Sequence, residues 1–255
     1  MTTKTKAAKT RPSTDTKVKI PSVEELFKVG AHFGHRREHS DARFKNFVFL
    51  TQNKVNIIDL EKTREGLKKA LAFLAQKAQQ GARFLFVGTK PQAKKVVEKL
   101  GKELGQAYVT ERWLGGTLTN FETIKKSLEK IENLENYVQS EEFKKLTKRE
   151  KNKVREKLAK LHRTFDGLLP LESLPDVLVV FGAHQEEIAV LEARERGVAT
   201  VGICDSDFNP QLLDYPIPAN DDSLKTVELI GELIYQTLKK NLPSSPEKSV
   251  KKKEE

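Results

Sequence analysis

Between Arg112 and Asn120 the chain reads Arg-Trp-Leu-Gly-Gly-Thr-Leu-Thr-Asn, residue types suited to gripping a phosphate or a ribose. An arginine can hold a phosphate through two parallel hydrogen bonds. Gly115 and Gly116 let the backbone come close to a partner and adopt positive φ. Thr117, Thr119 and Asn120 add polar groups. Trp113 is the only tryptophan and, beside Leu114, it reads as an anchor in a core more than as a stacking platform. The same nonapeptide also reads as a structural corner in which Thr119 or Asn120 caps the helix that follows.

A second group runs His32-Phe33-Gly34-His35-Arg36-Arg37, with His39 two residues on. Histidines at i, i+3 and i+7, with Asp205 as a fourth donor, are one way to hold a metal ion. Arg36 and Arg37 place positive charge beside that ion, and no cysteine supports it. Contact with RNA fits the residue types better: imidazoles stack on bases, Phe33 packs, and the two arginines pair phosphates. No cofactor is expected, and a structural Mg²⁺ or Zn²⁺ stays open.

A third group follows the apolar runs of the chain: Gly88-Thr89-Lys90, Gly182-Ala183-His184, Asp205-Ser206-Asp207 and Asn220-Asp221-Asp222. The C-terminal ends of parallel strands are where α/β enzymes keep their sites, so a nucleotide- or sugar-phosphate-binding enzyme is the rival reading. Its motifs are missing. The phosphate loop needs Gly-Lys followed by Ser or Thr, and here Thr89 precedes Lys90. No Gly-x-Gly-x-x-Gly follows a strand, and no Gly-x-Ser-x-Gly elbow exists. Cys204 sits in an apolar run, where a thiol is inert. The aspartates read more readily as helix caps than as cation ligands.

Composition narrows the class. The 255 residues are 37% hydrophobic and 32% charged, with net charge +10 and pI near 9.4. That balance favours a polyanionic partner. A single cysteine allows no internal disulfide and points to a reducing compartment. No apolar run is long enough to span a bilayer, so no membrane association is expected. Residues 1–20 carry six basic residues against Asp15 and no apolar stretch, which predicts a disordered basic arm. Residues 241–255 predict a disordered tail.

The elements that position these groups follow from periodicity. Ser22 and Glu25 make a capping box for a helix that Gly30 ends. His32 to Arg37 reads as a loop. Phe44 to Leu50 and Val55 to Leu60 read as strands around a Gln52-Asn53-Lys54 turn, and a helix is expected from Thr63 to before Gly81. Phe84 to Val87 and Val177 to Phe181 are continuously apolar, as parallel strands covered on both faces are. Tyr108 to Thr110, Thr200 to Cys204 and an edge strand at Pro216 to Pro218 complete an α/β alternation. Residues 121–165 break that rhythm. Phe121, Ile124, Leu128, Ile131 and Val138, then Val154, Leu158, Leu161, Phe165 and Leu168, recur at heptad spacing. They predict an antiparallel coiled-coil hairpin of net charge +5, inserted into a body made of residues 21–120 and 166–240. Such a hairpin is either a solvated surface or a contact arm.

The nonapeptide, preceded by Tyr108-Val109, resembles the hallmark of the bacterial-type family of the second protein of the small ribosomal subunit. So do His32 to His35, Asn56 to Thr63, Phe86 to Lys90 and Tyr215 to Asp222, and the five blocks are collinear. Asp205-Ser206-Asp207-Phe208-Asn209-Pro210 departs from the family's Asp-Thr-x-x-Asp-Pro, and the long arm is atypical. The resemblance implies a flavodoxin-like three-layer α/β fold with the inserted hairpin and no catalysis. It implies a cytoplasmic ribosomal location on small-subunit ribosomal RNA, with no homo-oligomer. It also implies protein neighbours, among them the large messenger-capturing first protein. The matching RNA-binding candidates are His32, His35, Arg36, Arg37, Lys90, Lys94, Lys95, Arg112, Gly115, Gly116, Thr119 and Asn120.

Overall fold

The structure, a computed structural model, describes residues 18–243. The expected arm and tail fall almost wholly outside these residues. Val18 at the edge of the arm is buried in the core, and the last helix runs on to Asn241.

The first helix of the described residues is α1 (Val23–Lys28), started by the expected capping box: Glu25 N–H donates to Ser22 Oγ, and Ser22 N–H to the Glu25 carboxylate. Three strands follow, β1 (Phe33–Arg36), β2 (Val48–Gln52) and β3 (Val55–Ile58), forming an antiparallel sheet of order β1-β3-β2. Two sequence expectations change here. His32 to Arg37 is no loop, because Phe33 to Arg36 pair with Ile57 to Val55. Phe44 to Leu50 is only partly strand: Ala42–Phe47 is a 3₁₀ turn that sinks Phe44 into the core before β2 begins. Asn53 and Lys54 both adopt positive φ, the geometry of a two-residue hairpin turn with strand-matched twist.

The next helix, α2 (Leu60–Gln79), starts three residues before the expected Thr63, because the Asp59 side chain caps it. From there strand and helix alternate: β4 (Phe84–Val87), α3 (Pro91–Leu104) and β5 (Ala107–Val109). Residues 121–165 then fold into α4 (Phe121–Gln139), the short α5 (Glu141–Lys145) and α6 (Lys148–Phe165). The alternation resumes with β6 (Val177–Phe181), α7 (Glu187–Glu195), β7 (Ala199–Cys204), β8 (Tyr215–Pro218) and α8 (Leu224–Asn241).

The second sheet is wholly parallel, in the order β5-β4-β6-β7-β8. Counted along the chain this is 2-1-3-4-5, a doubly wound order whose switch point lies between β4 and β6. Both faces are buried. Phe84, Phe86, Val177, Val179 and Phe181 turn to the core shared with α2, α3 and α8. Leu85, Val87, Leu178 and Val180 turn to the opposite core with α7, Trp113 and Leu118. Period-two side chains with no polar face are what a doubly covered strand requires.

Helices α4 and α6 pack on each other, and both are rooted in the second core through Ile124, Ile131 and Phe165. Thr147 and Glu150 form the expected capping box of the returning helix. Between them α5 buries Phe143, with the Tyr137 ring edge-on at 6.0 Å.

The small sheet is joined to the parallel one through Gly34. A Cβ there would lie 2.8 Å from Ser206 Oγ and 2.9 Å from the Asn56 carbonyl oxygen. Ser206 Oγ accepts the His35 N–H at 2.7 Å, and the Ser206 carbonyl accepts the Asp41 N–H at 2.8 Å. Gly34→Ala is expected to cost about 2 kcal/mol by overpacking this seam, read as a lower urea midpoint. An unchanged midpoint would show that the seam is not closely packed.

Candidate nucleic-acid interface

The Arg112–Asn120 loop is built around one carboxylate. Glu192 lies on α7, on the same helical stripe as buried Ala189 and Ala193, and is 7% exposed. It accepts five hydrogen bonds from the loop: Trp113 Nε1 at 3.1 Å, Gly116 N at 2.8 Å, Leu118 N at 2.9 Å, Thr119 N at 3.1 Å and Thr119 Oγ1 at 3.2 Å. Burial pushes its pKa up, but these donors outweigh burial and hold it below the ordinary carboxylate value. Trp113 is buried, as its anchoring role requires. Gly116 has φ +90°, a conformation that favours glycine. Arg112 and Gly115 remain exposed, and a Cβ on Gly115 would meet nothing within 4 Å. Asn120 occupies the N-cap position of α4 without capping it; its Oδ1 accepts the Thr123 hydroxyl instead.

The strand-end crevice is spoken for by the protein's own charges. After β4, the Thr89 N–H and hydroxyl both donate to buried Glu186, at 2.7 and 2.6 Å. Lys90 Nζ donates to Asp221 at 2.7 Å and Asp222 at 2.9 Å. Burial works against the Lys90 charge, but the two aspartates overcome it and raise its pKa. Asp221 is 1% exposed, and burial pushes its carboxyl up to about 6 against the pull of Lys90. With the ammonium at 2.7 Å the pair is ionic at neutral pH. The donors that a phosphate would take at this turn are therefore spent on internal carboxylates. Lys90, expected among the RNA contacts, is a structural cation.

The histidines part company. His32 is buried and stacked on Phe27 at 4.2 Å, with the Phe33 ring tilted against it at 4.1 Å, and burial lowers its pKa. It is packed among aromatic side chains of this chain, which removes it from base stacking. His35 reaches Asp205 at 3.2 Å, Asp222 at 3.5 Å and Asp207 at 3.7 Å. The Asp205 carboxylate beside it leads in raising its pKa to about 9, with Asp207 and Asp222 adding to the effect against the pull of burial. His35, Asp205 and Asp207 offer ligand atoms within 4.8 Å of one another, so the set able to hold a divalent ion comes from β1 and the β7 end. It differs from the His32, His35, His39 and Asp205 set weighed in the sequence: His39 is exposed and, like His32, is not part of it.

Among the other candidates, Arg36 and Arg37 are exposed where β1 ends, beside the β2–β3 turn. Lys95 is exposed on α3. Lys94 is engaged by Glu111 at 3.1 Å, and Glu111 also takes Arg163 of α6 at 3.2 Å. Sequence reasoning missed Glu192 and Glu186, and it named Ser206 among the strand-end groups without its role in holding the small sheet. Only Glu192 carried a signal, a charge within an apolar helical stripe.

A doubly wound sheet with a self-neutralised crevice and a locked glycine loop places the chain in the α/β class. The geometry gives no catalytic constellation among the described residues. A family model described as ribosomal protein S2 matches residues 26–241. The small ribosomal subunit protein uS2 of Dictyoglomus thermophilum is 42% identical over 212 residues, covering 83% of this chain and 86% of that protein. Those of Petrotoga mobilis and Oenococcus oeni are 40% and 43% identical, covering 83% and 82% of this chain and 73% and 80% of theirs. The chain belongs to the ribosomal protein S2 family, whose members are structural and not enzymatic.

Removing the Glu192 charge tests the loop. Glu192→Ala leaves the loop donors unpaired and should cost about 2–3 kcal/mol in urea unfolding. Because the folded pKa lies below the ordinary 4.5, the stabilisation is present above that value and is lost as pH falls through the folded pKa. The acid limb of the stability profile should be shallower in Glu192→Gln. Equal limbs in the two proteins would show that the carboxylate does not hold the loop.

Proposed function

We propose that this chain is a structural, non-catalytic component of the small ribosomal subunit in the cytoplasm, binding small-subunit ribosomal RNA and neighbouring proteins in support of translation. The observation that carries the RNA reading is the Arg112–Asn120 loop, fixed from within by Glu192 while Arg112 and Gly115 stay exposed. A preorganised loop spends little ordering entropy on binding. Arg36, Arg37, Lys95 and Arg112 pair phosphates, and Lys94 joins them by leaving Glu111. Gly115 admits the RNA backbone, and Thr119 and Asn120 shape the loop's end. His35 serves the interface indirectly, by holding the small sheet to the body through Asp205.

Residues 121–165 form the second contact element of the proposal. Half-buried Leu128, Leu158 and Leu161, beside buried Ile124 and Ile131, support an antiparallel coiled coil. Its tip, Lys144 to Lys151, reaches RNA or protein that the body does not. From the family resemblance, one protein neighbour is the large messenger-capturing first protein.

Arg112→Ala and Lys90→Ala separate the surface role from the structural one. Arg112→Ala should weaken RNA binding, flatten the log–log salt slope by about 0.7–0.9, and reduce co-sedimentation with the small subunit in a sucrose gradient. Lys90→Ala should leave the slope unchanged but lose about 3–5 kcal/mol of stability, because Asp221 is left buried without its cation. The opposite pattern would exchange the two assignments.

A further inference from the structure

Beside the small sheet lies a concavity of about 550 Å³, of whose lining the reading above uses only Arg37. Its volume falls in the range of small-ligand sites, about 300–1,000 Å³. Arg37 and Lys45 stand at its rim, Ala42 and Val48 give it an apolar flank, and Ser40, Thr51 and Asn56 supply polar groups.

The polar part is fixed before any partner arrives. Asn56 is 5% exposed; its carbonyl oxygen accepts the Thr51 hydroxyl at 2.8 Å, and its amide donates to Ser40 Oγ at 2.6 Å. An amide has two hydrogens and two acceptor lone pairs, so this one keeps a donor and an acceptor unspent. Asparagine presenting both together is the pattern that reads a base edge.

The charge is also biased. The single carboxylate in the lining, Asp41, is forked by Arg43: Nε at 2.9 Å and Nη2 at 2.7 Å, with the Arg43 N–H at 2.8 Å. Arg37 and Lys45 are exposed and, among the described residues, have no carboxylate within 4.0 Å. The wall is tied to the body, since the Asp41 N–H donates to the Ser206 carbonyl at 2.8 Å.

We propose that this pocket takes one unstacked nucleotide of a single-stranded RNA segment, with its phosphate on Arg37 and Lys45 and its base against Asn56 and the Ala42–Val48 flank. RNA is read mostly where bases are splayed out and their edges can be hydrogen-bonded, and the pocket combines an edge reader with phosphate cations. The inference rests on the RNA-binding reading above, but it assigns Ser40, Lys45, Thr51 and Asn56, which that reading leaves idle.

The test uses the full chain and a labelled single-stranded RNA of mixed sequence. Ala42→Leu with Thr51→Leu, both exposed positions, fills the pocket without changing charge. Affinity should fall about tenfold, the scale of one lost base contact, at an unchanged salt slope. Lys45→Ala should flatten the slope by about 0.7. Wild-type affinity in the filled variant overturns the pocket while leaving the RNA-binding reading intact. A wild-type chain that binds no RNA overturns both. If the filled variant does not fold, photo-cross-linking of the wild type to RNA carrying 4-thiouridine decides: adducts between Arg37 and Asn56 support the pocket, and adducts confined to other segments overturn it.

Discussion

A carboxylate sunk among five donors sets the shape of the surface that this protein presents. Burying the Glu192 charge would be costly if it stood alone. Here each oxygen is matched by backbone amides, a hydroxyl and the indole N–H of one loop, so burial and loop geometry require each other. The consequence is directional. Polar groups of Gly116, Leu118 and Thr119 point inward to α7, leaving Arg112 and Gly115 outside. The same loop leads into α4, so the carboxylate also fixes the root of the helical segment that departs there.

The crevice at the strand ends shows why the architecture does not carry the chemistry usually found there. Fold does not dictate function; sites do. Glu186 occupies the turn after β4, and Asp221 with Asp222 neutralises Lys90, so the place where related sheets receive phosphate already holds internal anions. His35 extends the network to the small sheet through Asp205, Asp207 and Asp222. Groups that look catalytic in the sequence act in the structure as a clasp between two sheets.

The body was legible because its signals are local or periodic. Apolar runs such as Phe84 to Val87 and Val177 to Phe181 cannot be solvated, and Ser22 with Glu25 and Thr147 with Glu150 mark helix starts within four residues. What stayed hidden depends on partners far along the chain. Phe33 to Arg36 is a strand only because β3 lies beside it and Ser206, about 170 residues away, receives His35. Asp59 caps α2 earlier than the hydrophobic pattern indicates. His32 and Lys90 have residue types suited to RNA contact, yet tertiary packing gives them aromatic and carboxylate partners. Residue type proposes a chemistry, and exposure decides whether a partner can reach it.

The central claim is that the RNA-facing loop is preformed by Glu192 in the free protein. Amide hydrogen exchange of the isolated chain at neutral pH addresses it directly, at Gly116, Leu118 and Thr119. The account predicts strong protection at all three amides in the wild type and its collapse in Glu192→Ala, with the protection of β4 and β6 retained. Exchange of these amides at unfolded rates in the wild type would contradict it, because the loop would then take shape only on RNA.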